Sequence, residues 1–213
     1  NDSLKVFLEK RGMSKEGTKS ELAALCFAVN KLNIQPKPTS QQILTANKKA
    51  YTDLLSVKSD IITDPFKISS GWFGEHDGMR YWPPVFLSDI TRFFIQTTDD
   101  PKTETFLGSY KTGRSYEYFT SSWMKEVHYH PLSNKSKFCL LRSQCTPSQR
   151  VSDTDHGVWT CIEKTSGAIM CAYCSCTAGL GQTCNHIAGL LYRVEHANKI
   201  GLCDAACTSL PCT

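Results

Sequence analysis

Apolar residues recur at helical spacing along the first thirty positions. Leu4, Phe7 and Leu8 share one helical face, and after a polar break Leu22, Leu25, Cys26 and Val29 share another. The break ends in Thr18-Lys19-Ser20-Glu21, the letters of a capping box. In such a box the Thr18 hydroxyl accepts the Glu21 N–H and the Glu21 side chain reaches back, so a helix is expected to start there. Residues 35–40, QPKPTS, place two prolines among polar residues and predict a linker that closes an N-terminal unit of residues 1–34. Beyond it, Ile43, Leu44, Asn47, Tyr51, Leu54 and Leu55 predict another amphipathic helix at the head of a mixed α+β region, residues 41–136. Residues 60–135 hold three of the four tryptophans (Trp72, Trp82, Trp123) and the stiff pair Pro83-Pro84, a packed stretch whose elements the pattern does not resolve.

From Lys137 the pattern becomes extended. KFCLLRSQC, GVWTCIEK and GAIMCAYCSC, separated by polar or glycine-containing turns, predict a three-stranded meander. Ile187, Leu190, Leu191 and Val194 then mark the buried face of a last helix. Meander and helix occupy 137–200, and 201–213 read as a junction to a further C-terminal domain. The expected fold class is α+β: a helical pair, a mixed middle region, and a β-meander leading into a ββα segment.

Composition narrows the picture in one respect. With 40% hydrophobic and 21% charged residues the chain has a globular profile, and no apolar stretch is long enough to span a bilayer. The first residues lack the basic-then-apolar build of a secretory signal, which points to a reducing compartment. The net charge of +4 is too small to name a partner, so any argument for nucleic acid rests on where the basic residues sit. Cysteine is the informative residue. There are eleven, an odd number, and close Cys/His spacing in a reducing context reads as metal binding before disulfide bonding.

The spacing is tightest in CSCTAGLGQTCNH, residues 174–186. Alternate residues of an extended segment share a face, so Cys174 and Cys176 can present both sulfurs to one side. Cys184 and His186 bracket the expected start of the last helix, where free N–H groups stabilise a thiolate. Between the pairs, Gly179 and Gly181 let the chain turn back. Three thiolates and an imidazole make a closed tetrahedral site of the structural zinc type. Buried thiols with a core histidine are the plain alternative; a disulfide would leave His186 unexplained.

C-x-C-x7-C-x-H resembles the SWIM zinc finger, a C-x-C and C-x-H pattern around a variable spacer on a strand–hairpin–helix fold. The wider string CSCTAGLGQTCNHIAGLLY is similar to the fingers of animal proteins that continue into a viral-recombinase or alkaline-exonuclease type nuclease domain. SGWF, GSYKTGRSYEYF and CTSLPC resemble the same group. The resemblance implies one structural Zn2+ on Cys174, Cys176, Cys184 and His186. SWIM fingers also occur in ubiquitin-ligase and signalling settings, which leaves a protein-interaction module as the rival reading.

Leu4, Leu8, Arg11-Gly12-Met13 and Gly17-Thr18-Lys19-Ser20-Glu21-Leu22 resemble the SAP motif, a helix–loop–helix of chromatin and DNA-repair proteins. That resemblance implies DNA as partner and the nucleus as location. Independently, a helix starting at Thr18 offers N–H donors and a positive dipole end to an anion, with Lys10, Arg11, Lys15 and Lys19 around it. Such contacts take phosphate rather than base, so binding is expected to be salt-sensitive. An ordinary solvated basic face is the alternative.

Other groupings carry less. His128 and His130 alternate without a third ligand nearby; Asp153, Asp155 and His156 read as turn chemistry. Cys203, Cys207 and Cys212, with Cys171, are a second candidate metal set, but the three at the C-terminus are read instead as junction residues, and Cys139, Cys145 and Cys161 as small core residues. Lys135, Lys137, Arg142 and Arg150 offer a second phosphate-contacting patch, and Tyr81 and Trp82 an aromatic surface for bases, though such aromatics are more often core. A nuclease of the resembled kind needs a D…E-x-K arrangement around a divalent metal. Ile162-Glu163-Lys164 supplies the E-x-K letters at a strand end without a committed acidic partner, so these residues are read as a non-catalytic targeting segment.

Overall fold

The computed structural model describes residues 2–97, 113–147 and 154–203. The chain divides into two compact units, Asn1–Lys49 and Ala50–Thr213.

In the first unit, α1 (Asp2–Glu9) and α2 (Lys19–Lys31) bury Leu8, Leu22 and Val29 between them, with Leu4, Phe7, Leu25 and Ile34 packed alongside. The apolar stripe of the sequence is therefore the face the two helices share. The capping box at Thr18 forms in full: Thr18 Oγ1 accepts the Glu21 N–H, and Thr18 N–H donates to Glu21 Oε2 at 2.7 Å. Residues 35–40 are bound back onto the pair, since Lys37 N–H donates to Lys10 O at 2.7 Å. A second box opens α3 (Ser40–Leu54): Thr39 N–H donates to Gln42 Oε1 and Gln42 N–H to Thr39 Oγ1. The division between the units falls inside this helix.

The second unit is built on a four-stranded antiparallel sheet in the order β3 (His128–His130), β4 (Phe138–Cys145), β5 (His156–Glu163), β6 (Ile169–Cys174). The three expected strands form, and β3 adds an edge that the sequence pattern did not resolve. Side chains alternate across the pleat, so Leu141, Val158 and Ile162 enter one core while Leu140, Trp159 and Cys161 enter another. Both faces of the sheet are thus covered.

The larger core holds the helices of the middle region, α5 (Leu87–Thr97) and α6 (Arg114–Thr120), and the last helix, α7 (Asn185–Lys199), which buries Ile187, Leu190, Leu191 and Val194 completely. The short α4 (Glu75–Gly78) sits beside β3. The smaller core is closed by the hairpin β1 (Ser56–Val57) and β2 (Asp60–Ile61), by Tyr51 and Leu54 at the end of α3, and by Ile68 and Trp72. Cys139, Cys145 and Cys161 are fully buried small residues, as expected. Among the described residues no helix is long and apolar enough to cross a membrane.

Candidate metal centre

Strand β6 delivers Cys174 at its last position, and Cys176 follows two residues later. The chain then passes through a 3-10 turn, Gly179–Gly181, and a left-handed residue, Gln182, before Cys184 and His186 arrive on the first turn of α7. Gly179 is required here by contact: a Cβ on it would fall 1.5 Å from the Cys174 carbonyl oxygen, so only a hydrogen lets the turn fold onto the strand end. Gln182 Oε1 accepts the Ala172 N–H at 3.0 Å, satisfying a donor on the sheet's outer edge and tying the turn to β6.

The turn brings the four donor atoms of Cys174, Cys176, Cys184 and His186 within 4.8 Å of one another. Cys174 Sγ lies 3.5 Å and Cys184 Sγ 4.0 Å from His186 Nδ1. Around a tetrahedral zinc, bonds of about 2.3 Å to sulfur and 2.0 Å to nitrogen place those atoms about 3.6 Å apart. The donor set and its spacing therefore fit such an ion, and the cluster can hold a metal ion such as zinc. Among the described residues it is the one group of this kind.

Electrostatics agree with that use. Hydrogen bonds from Cys174 and Cys184 hold the Cys176 thiol far below its ordinary pKa, while bonding to Cys176 and Cys184 pushes Cys174 far above it. The three sulfurs share protons because three adjacent thiolates repel, and a divalent cation is what allows all of them to ionise together. Cys176 N–H donates to Cys174 Sγ at 3.5 Å, a further stabiliser of negative sulfur.

Three residues around the cluster carry no signal in the local spacing. The Tyr118 ring stands edge-on to His186 at 4.8 Å, and His156 lies 4.9 Å from it, so the imidazole is held between two rings. Ser115 Oγ donates to Asn185 Oδ1, clamping α6 to the start of α7. His156 corrects an expectation: it is the first residue of β5, paired with Cys145, rather than a turn residue, because the meander extends one residue further than its apolar alternation. Asp153 lies outside the described residues.

The remaining candidates separate. Cys171 faces Cys161 across β5 and β6 in the smaller core, whereas Cys203 packs against the larger one, so these two do not meet; Cys207 and Cys212 lie outside the described residues. His130 is held by structure: its Nδ1 accepts the Leu132 N–H, its ring packs on Trp72, and burial lowers its pKa. His128 has Glu126 Oε2 at 4.0 Å. Glu163 pairs with Lys58 and accepts from Ser166, and Lys164 donates to the Ser133 and Ser136 carbonyls. Trp82 is core, while Tyr81 is 47% exposed and stacked on Tyr129. Lys135 and Lys137 lie on the connection into β4, Arg142 within it, and Arg150 outside the described residues.

On the helical pair, Arg11 is engaged at home. Its Nε donates to Ile34 O and its Nη1 to Phe7 O, with the guanidinium 3.8 Å above the Phe7 ring. Lys15 pairs with Glu9 at 2.8 Å. Thr18 is occupied by the box with Glu21, whose carboxyl pKa the Thr18 backbone and side-chain hydrogen bonds lower. Lys10 and Lys19 are exposed, and Lys37 is brought to Lys10 by the backbone bond between them.

No protein-family model, curated protein or solved structure matches this chain.

Proposed function

We propose that this chain is a zinc-containing nucleic-acid-binding segment of the SWIM type, with a SAP-like helical pair contacting phosphate, that serves to place a separate nuclease or recombinase domain. The observation that carries the reading is the convergence of Cys174, Cys176, Cys184 and His186 at the junction of β6 and α7. A closed Cys3His set has no open position for substrate, so its role is to fasten the last helix to the sheet. Phosphate contact falls to Lys10, Lys19 and Lys37 and to the free N–H groups of the first turn of α2, because Arg11 and Lys15 already hold protein partners. Nuclear location follows from the same reading.

The test is an anisotropy titration of the zinc-loaded protein with duplex DNA at several salt concentrations. Binding should weaken steeply with salt. Lys10→Glu with Lys19→Glu should reduce affinity and also flatten the salt dependence, the slope falling by roughly 0.9 for each phosphate no longer neutralised. Salt-independent or unaltered binding would overturn the phosphate role.

A protein-interaction module is the second reading. Phe27 and Leu32, 68% and 72% exposed on the helical pair, favour it. Recovery of a stable protein partner from nuclease-treated extract, abolished by Phe27→Ser and accompanied by no affinity for DNA, would establish it instead.

A further inference from the structure

On the face of the sheet opposite α7, a cleft of about 550 Å³ opens between Phe66 and the ends of β3 and β4. That volume is within the roughly 300–1,000 Å³ of small-ligand sites. Arg142 is central to it. Its guanidinium lies 3.8 Å over the Trp72 ring, and Nη1 donates to Pro65 O and Ile68 O, so the group is fixed in place. Among the described residues no carboxylate pairs with it, and Nε and Nη2 have no protein acceptor. His128 is its direct cross-strand partner on β3. Lys125 also lines the cleft, its backbone anchored to β4 by bonds to Gln144 O and from Ser143 Oγ.

Part of the lining is aromatic. Phe66 is 46% exposed and packs edge-on against Tyr173 at 6.0 Å. The ring lies directly over Gly157 of β5, where a Cβ would come 2.7 Å from Phe66 Cε1 and push the ring aside. A rigid, partly buried guanidinium without a counter-ion, two further basic side chains and an open aromatic face thus converge on one cleft. Glu126 adds a single carboxylate at the rim, where Oε1 already accepts the Glu75 N–H.

We propose that this cleft seats one unpaired nucleotide of a nucleic-acid strand, with its phosphate on Arg142, His128 and Lys125 and its base on Phe66. Fork-shaped donors suit a phosphate, and an exposed ring suits any base because every base has a π-face. An acidic peptide would satisfy the cations but leave the ring unfilled. The site lies wholly within the second unit and stands independently of phosphate contact by the helical pair.

The experiment uses the zinc-loaded full chain and trithymidylate, followed by amide NMR shifts and by fluorescence of the tryptophans. Shifts should centre on Gly157 and His128. Phe66→Ala should weaken binding by roughly 5- to 150-fold, the range expected for stacking a single base. Lys125→Glu should weaken it as well, with a salt slope smaller by roughly 0.7. Lys10→Glu with Lys19→Glu should leave trithymidylate binding unchanged. Arg142→Lys, which keeps charge but not the fork, should weaken binding while the fold is retained. Undiminished affinity in both Phe66→Ala and Lys125→Glu overturns the proposal. So does displacement by a short polyglutamate as effective as by trithymidylate, or a blunt duplex, whose bases cannot reach the ring, that shifts Gly157 and His128 equally in the Lys10→Glu with Lys19→Glu protein.

Discussion

Arg193 of α7 grips Glu75 of α4 across 118 residues of sequence: Nη2 lies 2.7 Å from Oε1 and 2.9 Å from Oε2, and Nε donates to Oε1 at 3.0 Å. Glu75 Oε2 also accepts the Val127 N–H just ahead of β3. One carboxylate therefore joins the helix that follows the metal cluster to the edge strand of the sheet. Both side chains are mostly shielded, 25% and 15% exposed, so the pair is screened less than a surface ion pair. Glu75→Gln or Arg193→Met should destabilise the second unit by about 2–3 kcal/mol, between the values for exposed pairs and for fully buried ones. Urea unfolding followed by tryptophan fluorescence measures it; a change below about 0.5 kcal/mol would show that the pair is solvent-screened.

The metal cluster has a compositional and a steric test. Purified protein should carry one equivalent of zinc, and cobalt substitution should give the intense visible bands of a tetrahedral thiolate site. Chelation should loosen α7 from the sheet, because metal binding is coupled to folding. Gly179→Ala should have a similar effect without touching a ligand. Its methyl would overlap the Cys174 carbonyl, a backbone clash that costs about 1–3 kcal/mol or more unless the turn reopens and the four donors separate. Full zinc occupancy and wild-type stability in that variant would mean the turn has another conformation.

The capping box gives a pH dependence. The Glu21 carboxyl titrates below the ordinary glutamate value because it accepts hydrogen bonds from Thr18. Its contribution is complete above the unfolded-state pKa, about 4.3, and is lost as pH falls through the lower folded value. Protection of the Thr18 and Glu21 amides, taken relative to their intrinsic exchange rates, should therefore fall in acid below about pH 4, and Glu21→Gln should flatten the profile. Thr18→Ala should cost about 1 kcal/mol at neutral pH. An acid-insensitive first turn of α2 would remove the role assigned to Glu21.

Features made by neighbours in sequence were legible. The box at Thr18, the strands of the meander and the buried stripe of α7 each follow from spacing within one element. The matching box at Thr39 and Gln42 carried the same signal and was masked by the two prolines of QPKPTS. Ile90, Phe93 and Phe94 stand at helical spacing on α5, but Pro83-Pro84 and the tryptophans around them obscured where a helix could begin. The α4 helix is four residues long, too short for any period to show.

What the chain determined by itself is what thirteen consecutive residues can determine: four side chains from 174 to 186 able to hold a metal ion, with glycine where the turn must close, converge through local backbone geometry. The pairing of Arg193 with Glu75, the rings of Tyr118 and His156 beside His186, and the placing of Arg142 on Trp72 were decided only by tertiary structure. They depend on which faces of distant elements pack together, and that outcome comes from filling two cores on either side of one sheet, for which no spacing along the chain is a proxy.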